Sequence, residues 1–543
     1  MKFKDKLDKY TKAEIWAEYC GFLDLSMDEY MNIQFRLLRE QIERFGSCEL
    51  GRSIMKGQKP KSIDEFQRMI PLTTYEDYQG VLLEKREDLL CGKPVAWLTT
   101  TWESGSKPEK LAPYTREMLD VYTRNILASM ILSTSNAKGN FKVKSGAKVL
   151  YGLAPMPYAT GLFPLLIAPE IDLNFMPSLN DAKYMSFSQQ TKEGFKLAAK
   201  QGIDQFFGMS SVVYTITKNF DQMFKSGGGS SKGKLSINPA MMVKLAKAKY
   251  ISKRDGVPIK PADIFDLDGF VCVGTDTALY KEELEKAWGR KPLEIHGGTE
   301  TSCLATEAWS RDGLIFFPDN AFYEFIPKEE MLRNEKDPSY VPRTYLMDEV
   351  VANEEYEIVV TIFKGGAFMR YRPGDMYRCL RTSNEQEGIR LPQFEYIDRV
   401  PSVIDIAGFT RFTENSINTV FRLSGLPISN WFALKEYDGN KNSFMHLYVE
   451  IDSGSPGADF LNDQVILDHM GAYYRKYDHD YDDIKRLLGM DPAVVTVLPE
   501  GSIDKYKAST DVEFRTINPS PSQVLNLLKM VGAPFARGGE LFE

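Results

Sequence analysis

Apolar residues recur at helical spacing through residues 12–45 ("AEIWAEYCGFLDLSMDEYMNIQFRLLREQIERF"), which predicts two packed helices. The same period returns in "TREMLDVYTRNILASMIL" at 115–132, with Thr115 placed to cap the helix. From 148 to 300 short β-like runs ("KVLYGLAP", "IDLNFMPS", "IDQFFGMSS", "FDLDGFVCVGT", "PLEIHGGTE") alternate with helical ones such as "EELEKAWG". That alternation predicts an α/β sheet with sites at the strand ends. Between 314 and 380 the pattern predicts strands, in "LIFFPDNAFYEFIP" and "YEIVVTIFKGGAFMRYRPGDMYRCL". It changes again at "YIDRVPSVIDIAGF" (396–409). A helix, a hairpin, a polar helix through 460–489 and a last strand "AVVTVLP" follow, an α+β unit of about 140 residues. The domain boundary is expected near 399, giving domains 1–399 and 400–543, and no repeat of fixed period is visible.

Composition narrows the partners. The 543 residues are 43% hydrophobic and 26% charged, a globular balance long enough for more than one core. A net charge of −8 and a pI near 5.5, with no long basic block, argue against nucleic acid or an anionic membrane as main partner. The longest apolar stretch, "TGLFPLLIAP", carries two prolines and is too short to cross a bilayer, and "MKFKDKLDKY" has no apolar signal core. A soluble, cytoplasmic protein is expected. Six scattered cysteines and four histidines predict neither structural zinc nor a disulfide framework.

Candidate chemistry starts at "WLTTTWESGSKPEKLAP" (97–113), a hydroxyl-rich loop between an apolar run and a helix. Ser104, Gly105 and Ser106 supply small donors and Lys107 and Lys110 supply charge, as a phosphate cradle requires, whereas Trp102 and Glu103 do neither. The glycine-serine-lysine segment "FKSGGGSSKGKLS" (224–236) lacks P-loop spacing and is expected to be a surface loop. In "EIHGGTET" (294–301), Gly297 and Gly298 allow close backbone approach, Thr299 can donate to a phosphate, and Glu300 offers hard oxygen to Mg²⁺. Asp375 in "MRYRPGDMYR" follows a Pro-Gly turn from which a carboxylate can accept from ribose hydroxyls, and Gly274, Thr275 and Asp276 in "VGTDTALY" can face a purine. Taken singly, these stretches are equally a strand-to-turn junction, a surface hairpin and a helix N-cap.

Their order resembles the adenylate-forming superfamily of acyl-CoA synthetases, peptide-synthetase adenylation domains and luciferases. "FQRMIPLTTYEDYQ", "FFPDNAFYEFIP", "YEIVVTIFKGGAFMRYRPGD" and "QFEYIDRVPSVIDIAGFT" resemble the auxin-responsive acyl acid amido synthetases, the Gretchen Hagen three family. The resemblance spans roughly residues 30–530. It implies a large N-terminal adenylate-forming α/β domain with mixed sheets and flanking helices, and a small α+β C-terminal domain on a hinge at Asp398-Arg399. The implied reaction joins a carboxylic acid to ATP, with Mg²⁺, giving an acyl-adenylate whose acyl group passes to an amine, usually that of an amino acid. Thr299 would touch the α-phosphate, Glu300 hold the metal and Asp375 bind the ribose. Gly298, Gly274, Thr275, Asp276, Tyr323 and Arg399 would also contact nucleotide. Relatives present a C-terminal lysine in a "SINQYK" setting; here "SIDKYK" offers Lys507, with Lys505 as the alternative, unless the stretch matches an earlier strand of the family. Tyr158, Met209 and Val212 fall where relatives line the acyl pocket, although Met and Val there can equally fill core. Two other readings share these residues: an acyl-CoA ligase, and a degenerate member that binds nucleotide or acid without turnover.

Overall fold

A computed structural model describes residues 1–101, 109–226, 238–478, 481–510 and 512–532. The chain divides into two compact units, the first built from Met1–Thr100 and Lys110–Ile397, the second running from Asp398.

The N-terminal pattern forms helices Lys12–Cys20 and Met27–Ser47, as expected. Each begins with a capping box, in which Thr11 and Ser26 accept from the backbone N–H of Glu14 and Glu29 while those glutamates accept in return. Strands β1 (Pro94–Thr101) and β2 (Glu109–Thr115) form a two-stranded sheet. The phosphate-loop segment therefore joins two strands, where the sequence suggested strand, loop, then helix. "KLAPYT" escaped notice because Pro113 interrupts its alternation, yet its side chains are buried from Lys110 to Thr115. The helix Arg116–Thr134 follows, and the Thr115 hydroxyl accepts from the N–H of Met118 as predicted.

The main sheet takes β3 (Lys148–Gly152), β4 (Asn174–Met176), β5 (Gln205–Met209), β6 (Gly269–Val273), β7 (Leu293–Gly298), β8 (Ser302–Glu307), β9 (Leu314–Phe316), β10 (Ala321–Pro327), β11 (Glu355–Ile362), β12 (Asp375–Arg381) and β13 (Gln393–Arg399). Among the described residues it has eleven strands in the order β4-β3-β5-β6-β7-β8-β9-β13-β12-β11-β10. The strands from β4 to β7 pair in parallel, joined by helices such as Ser210–Ser226 and Thr277–Trp288. At β7 and β8 the sheet turns antiparallel. Fully apolar runs such as "FFGM" and "FVCV" suit parallel strands covered on both faces. Trp288 closes that layer at 2% exposure, its ring 5.1 Å from Phe206 and 5.5 Å from Phe270.

Cys48 and Cys91 are joined by a disulfide with Cα atoms 4.9 Å apart, against the expectation drawn from the scattered cysteines. The partners lie 43 residues apart, at the head of one helix and just before β1, so only the fold brings them together. Among the described residues no helix is long and apolar enough to cross a membrane.

The second unit contains the hairpin β14 (Val403–Ile406) and β15 (Thr410–Thr413), then β16 (Ile428–Tyr437) antiparallel to β17 (Ser443–Ile451), with β18 (Ala493–Leu498) parallel to β17. The polar stretch 460–489 is two helices, Asp463–Tyr477 and Tyr481–Leu488. Phe432, Tyr448, Ile503, Phe514 and Leu527 form its core.

Candidate active site

Three neighbouring parallel strands, β5, β6 and β7, end in the stretches "SS", "GTD" and "GTE", so their C-terminal edge gathers hydroxyls, carboxylates and glycines. After β6, Gly274 adopts φ +133°, a conformation that side chains disfavour. Ser210 Oγ donates to Val273 O (3.0 Å) and pairs with Thr277 Oγ1 at 2.6 Å, which ties the β5 and β6 ends together. Asp276 stands at the N-cap of helix Thr277–Trp288, but its side chain makes no capping bond.

The "GGTE" stretch is the tip of the β7-β8 hairpin, closed by Thr301 N donating to Gly298 O at 3.2 Å. Gly297 is obligatory there, since a Cβ would sit 1.7 Å from Ser302 O. Thr299 and Glu300 are each 8% exposed. Four side chains hold the tip. Tyr114 from β2 donates to Thr299 O (2.7 Å), and Asn320 donates to Thr301 O (2.9 Å) while accepting from Ser302 Oγ (2.8 Å). Tyr371 donates to Glu300 Oε1 (2.9 Å), and the Lys110 ammonium lies 3.4 Å from the same oxygen. The predicted phosphate-loop lysine and the predicted metal carboxylate are thus neighbours.

The stretch "PLTTYEDY" builds the support behind this pair. Tyr75 Oη donates to Leu111 O (3.0 Å) and accepts from Leu111 N (2.6 Å), fixing the backbone beside Lys110. Tyr78 Oη does the same for Met369, and Thr73 exchanges backbone bonds with Arg370 and Arg372 on either side of Tyr371. Arg370, at φ +45°, forks onto Glu324 with bonds of 3.0 and 2.8 Å. Arg372 pairs with Glu357 at 2.8 and 2.6 Å. The arginines of "RYRPGD" therefore serve the scaffold, while Asp375 opens β12 at 6% exposure after Gly374, whose φ is +84°. Tyr75, Tyr78, Tyr114, Asn320 and Tyr371 were not predicted from sequence. Their signal is buried polar termini in a core, which a linear pattern does not display.

Several expectations are corrected. Tyr323 is not at the nucleotide edge: it is 1% exposed in β10, its hydroxyl donating to Phe317 O (2.8 Å) and Leu304 O (3.3 Å). Met209 and Val212 are buried, and none of Tyr158, Met209 and Val212 lines the apolar cavity nearby. That cavity is bounded by Tyr122, Leu153, Phe163, Phe207, Val271, Val273 and Ile295 among others. Tyr158 precedes helix Ala159–Ile167, Met209 ends β5 and Val212 follows it, whereas the wall comes from other residues of β5, from β6 and β7, and from helical residues such as Tyr122 and Phe163. Trp102, Glu103, Ser104, Gly105, Ser106 and Lys107 lie outside the described residues, as does most of "SGGGSSKGKLS".

In the second unit, Asp398 pairs with Lys435 at 3.0 Å. Arg399 lies 4.0 Å from Asp405, which Arg411 also pairs at 2.9 Å. Burial pushes the Asp405 carboxyl up, but Arg411 and Arg399 outweigh it and hold it below its ordinary range. Lys505 and Lys507 are exposed on helix Ser502–Ala508, and the 2%-exposed Glu450 caps that helix by accepting from Gly501 N and Ile503 N. The predicted "SIDKYK" lysines thus sit on a helix with a built anchor.

Glu300 is the carboxylate that could hold Mg²⁺. Among the described residues no group of three or more His, Cys, Asp or Glu could hold a metal. Magnesium in phosphoryl sites needs only one or two carboxylates, the remaining ligands being phosphate and water, so this single buried carboxylate fits.

Residues 20–153 match the GH3 family N-terminal domain and residues 314–399 the GH3 family central domain. In fold the chain is similar to AtGH3.15 acyl acid amido synthetase solved with 2,4-DB, with TM-score 0.53 at 17% identity over 96% of this chain and 97% of that one. It is also similar to 2-hydroxyisobutyryl-CoA ligase solved with 2-HIB-AMP and CoA, with TM-score 0.58 at 14% identity over 94% and 93%. Those identities speak to the fold, a mixed α/β architecture of adenylate-forming ligases. No curated protein matches the chain by sequence.

Proposed function

Because residues 20–153 and 314–399 match GH3 family domains and the fold is that of adenylate-forming ligases, we propose that the chain adenylates a carboxylic acid with ATP and passes the acyl group to an amine, probed first as an amino acid. The observation that carries this reading is the clamped hairpin tip, where Tyr114 holds Thr299 while Lys110 and Tyr371 meet Glu300 beside the carboxyl ends of parallel strands.

A carboxylate is a poor electrophile at neutral pH. Its oxygen attacks the α-phosphorus of ATP, the bond to the β-phosphate oxygen breaks, and pyrophosphate leaves. The amine then attacks the acyl carbon, AMP departs as leaving group, and the amine loses a proton. Catalysis of this kind rests on positioning and on offsetting negative charge at phosphorus. Thr299 donates to the α-phosphate, Lys110 supplies a fixed positive charge, and Asp375 accepts from the ribose hydroxyls. Gly274, Thr275 and Asp276 bound the adenine. Glu300 would hold Mg²⁺, which when bound offsets phosphate charge. Tyr371 keeps the Glu300 carboxylate oriented. Asp398 and Arg399 are the expected hinge at the boundary of 1–399 and 400–543, and Lys507 is the lysine assigned to the phosphate.

The test is acid-dependent exchange of labelled pyrophosphate into ATP, followed by mass identification of the product formed with amino acids or with CoA. Exchange with amide formation supports the proposal. Exchange with thioester formation alone replaces the acceptor, and no exchange with any acid refutes the adenylation reading.

A further inference from the structure

The disulfide Cys48–Cys91 closes a loop around the support of the candidate site. Its partners stand 43 residues apart, and the chain between them carries Thr73, Tyr75 and Tyr78. Those are the residues that fix the backbone beside Lys110 and on either side of Tyr371. Cys91 ends the loop at a crowded place. A Cβ on the next residue, Gly92, would stand 2.7 Å from Thr115 Cγ2 and 3.2 Å from Gly365 O, so the chain there runs against the end of β2 and the loop after β11. Gln41, on the helix that ends just before Cys48, accepts from Gly365 N (3.0 Å) and donates to Gly366 O (3.3 Å). The S–S bond therefore adds a covalent tie where that helix, that loop and the approach to β1 converge. Such ties staple small domains whose cores are thin. The first unit, with roughly 390 residues around an eleven-stranded sheet, is well above the size that needs one.

The two sulfurs differ in access. Cys91 is half-buried and Cys48 is 8% exposed. Cys48 Sγ also accepts from Gly51 N at 3.3 Å, which favours negative charge on that sulfur and makes it the better leaving group. The four other cysteines are buried thiols whose pKa burial pushes up, so they do not compete for a reagent. We propose that Cys48 and Cys91 form a redox-active pair, opened by a dithiol, that sets how firmly the site holds MgATP. The effect on MgATP rests on the adenylation reading. A thiolate of the dithiol attacks Cys91 Sγ, the S–S bond breaks, and its electron pair leaves on Cys48 Sγ. The second thiol, once deprotonated, attacks the mixed disulfide and frees Cys91 Sγ. The dithiol is oxidised to a disulfide, and its two protons end on the two reduced cysteines. With the bond closed, the segment bearing Tyr75 and Tyr78 is tied at both ends. With it open, that segment keeps its hydrogen bonds but moves more freely beside Cys91, and Lys110 and Glu300 are held less tightly.

The experiment compares the full chain after diamide with the full chain after dithiothreitol, each freed of reagent without air. Maleimide labelling of the unfolded protein, read by peptide mass, should mark Cys48 and Cys91 in the reduced chain and neither in the oxidised one. Reduction should raise the Kd for MgATP, measured by calorimetry, by about tenfold, as loss of a supporting contact does at such sites. It should lower Tm by about 5 °C, and diamide should reverse both changes. Cys91→Ser should bind MgATP as the reduced parent does and ignore dithiothreitol. The two states of the parent are compared without any variant, so a Cys91→Ser chain that fails to fold leaves the test intact. Labelling of both cysteines in the oxidised chain would overturn the inference. So would equal MgATP affinity in the two states, or a folded Cys91→Ser chain that still responds to dithiothreitol, and each of these leaves adenylation standing. Absence of MgATP binding in both states would overturn adenylation and this control of it together.

Discussion

Arg370→Met removes the guanidinium at the center of a buried polar cluster and keeps an unbranched apolar stem. Arg370 and Glu324 have side chains 3% and 1% exposed, and the guanidinium makes two parallel bonds to the carboxylate. It also donates to the carbonyls of Gln67 and Ile70 and to Thr344 Oγ1. The substitution strands a carboxylate that keeps only Thr344 and a long bond from Gln67 (3.3 Å), and it leaves both carbonyls without this donor. Breaking one side of a buried ion pair costs about 3–5 kcal/mol. The first unit holds roughly 390 residues, for which an unfolding entropy near 2.1 cal/mol/K per residue makes about 4 kcal/mol equal to a fall of about 5 °C in Tm. Calorimetry of the full chain should show this shift in the transition of the first unit. Adding Glu324→Gln removes the stranded charge and should restore about half of the loss. A single variant within about 1 °C of the parent, or a double variant no better than the single, would refute the assignment of Arg370 and Glu324 as a mutually dependent pair.

Four further outcomes are expected. Glu300→Ala and Lys507→Ala should each lower pyrophosphate exchange by roughly a hundredfold or more, and undiminished exchange in either removes that residue from the site. Tyr371→Phe takes a charge-assisted hydrogen bond from Glu300, so MgATP saturation of exchange should weaken by about tenfold or more, while far-UV circular dichroism stays unchanged. Burial raises the Glu294 carboxyl to about 7, Lys281 offsetting only part of that cost and the neighbouring Glu307 adding to it. The folded state then binds that proton more tightly than the unfolded chain. Stability is therefore full below about 4.5 and falls by about 3 kcal/mol as pH rises to about 7, and urea unfolding of Glu294→Gln should lack this slope. Glu103→Gly should tighten MgATP binding measured by calorimetry if the segment 102–108 meets the triphosphate, and unchanged affinity moves that segment out of the site.

Periodicity and turn chemistry are local, so the sequence alone determined the alternation of strands and helices from 148 to 300, the Thr115 cap, the strands between 314 and 380 and the mixed strands and helices that follow. It also singled out "GTD", "GGTE" and "RPGD", because glycine beside hydroxyl and carboxylate is chemically legible wherever it stands. Tertiary structure alone decided which of these letters meet. Lys110 reaches Glu300 across 190 residues because β2, hidden behind a proline, runs beside the β7-β8 tip. Tyr323 resembles a ligand residue in the chain and is core in the fold, since a tyrosine's role depends on where its hydroxyl ends. Cys48 and Cys91 stand 43 residues apart in the chain, and the fold alone puts them side by side. The apolar cavity lies outside the predicted triplet for the same reason: its wall gathers residues of β5, β6 and β7 and of segments far from them in the chain, and no single stretch of sequence carries it.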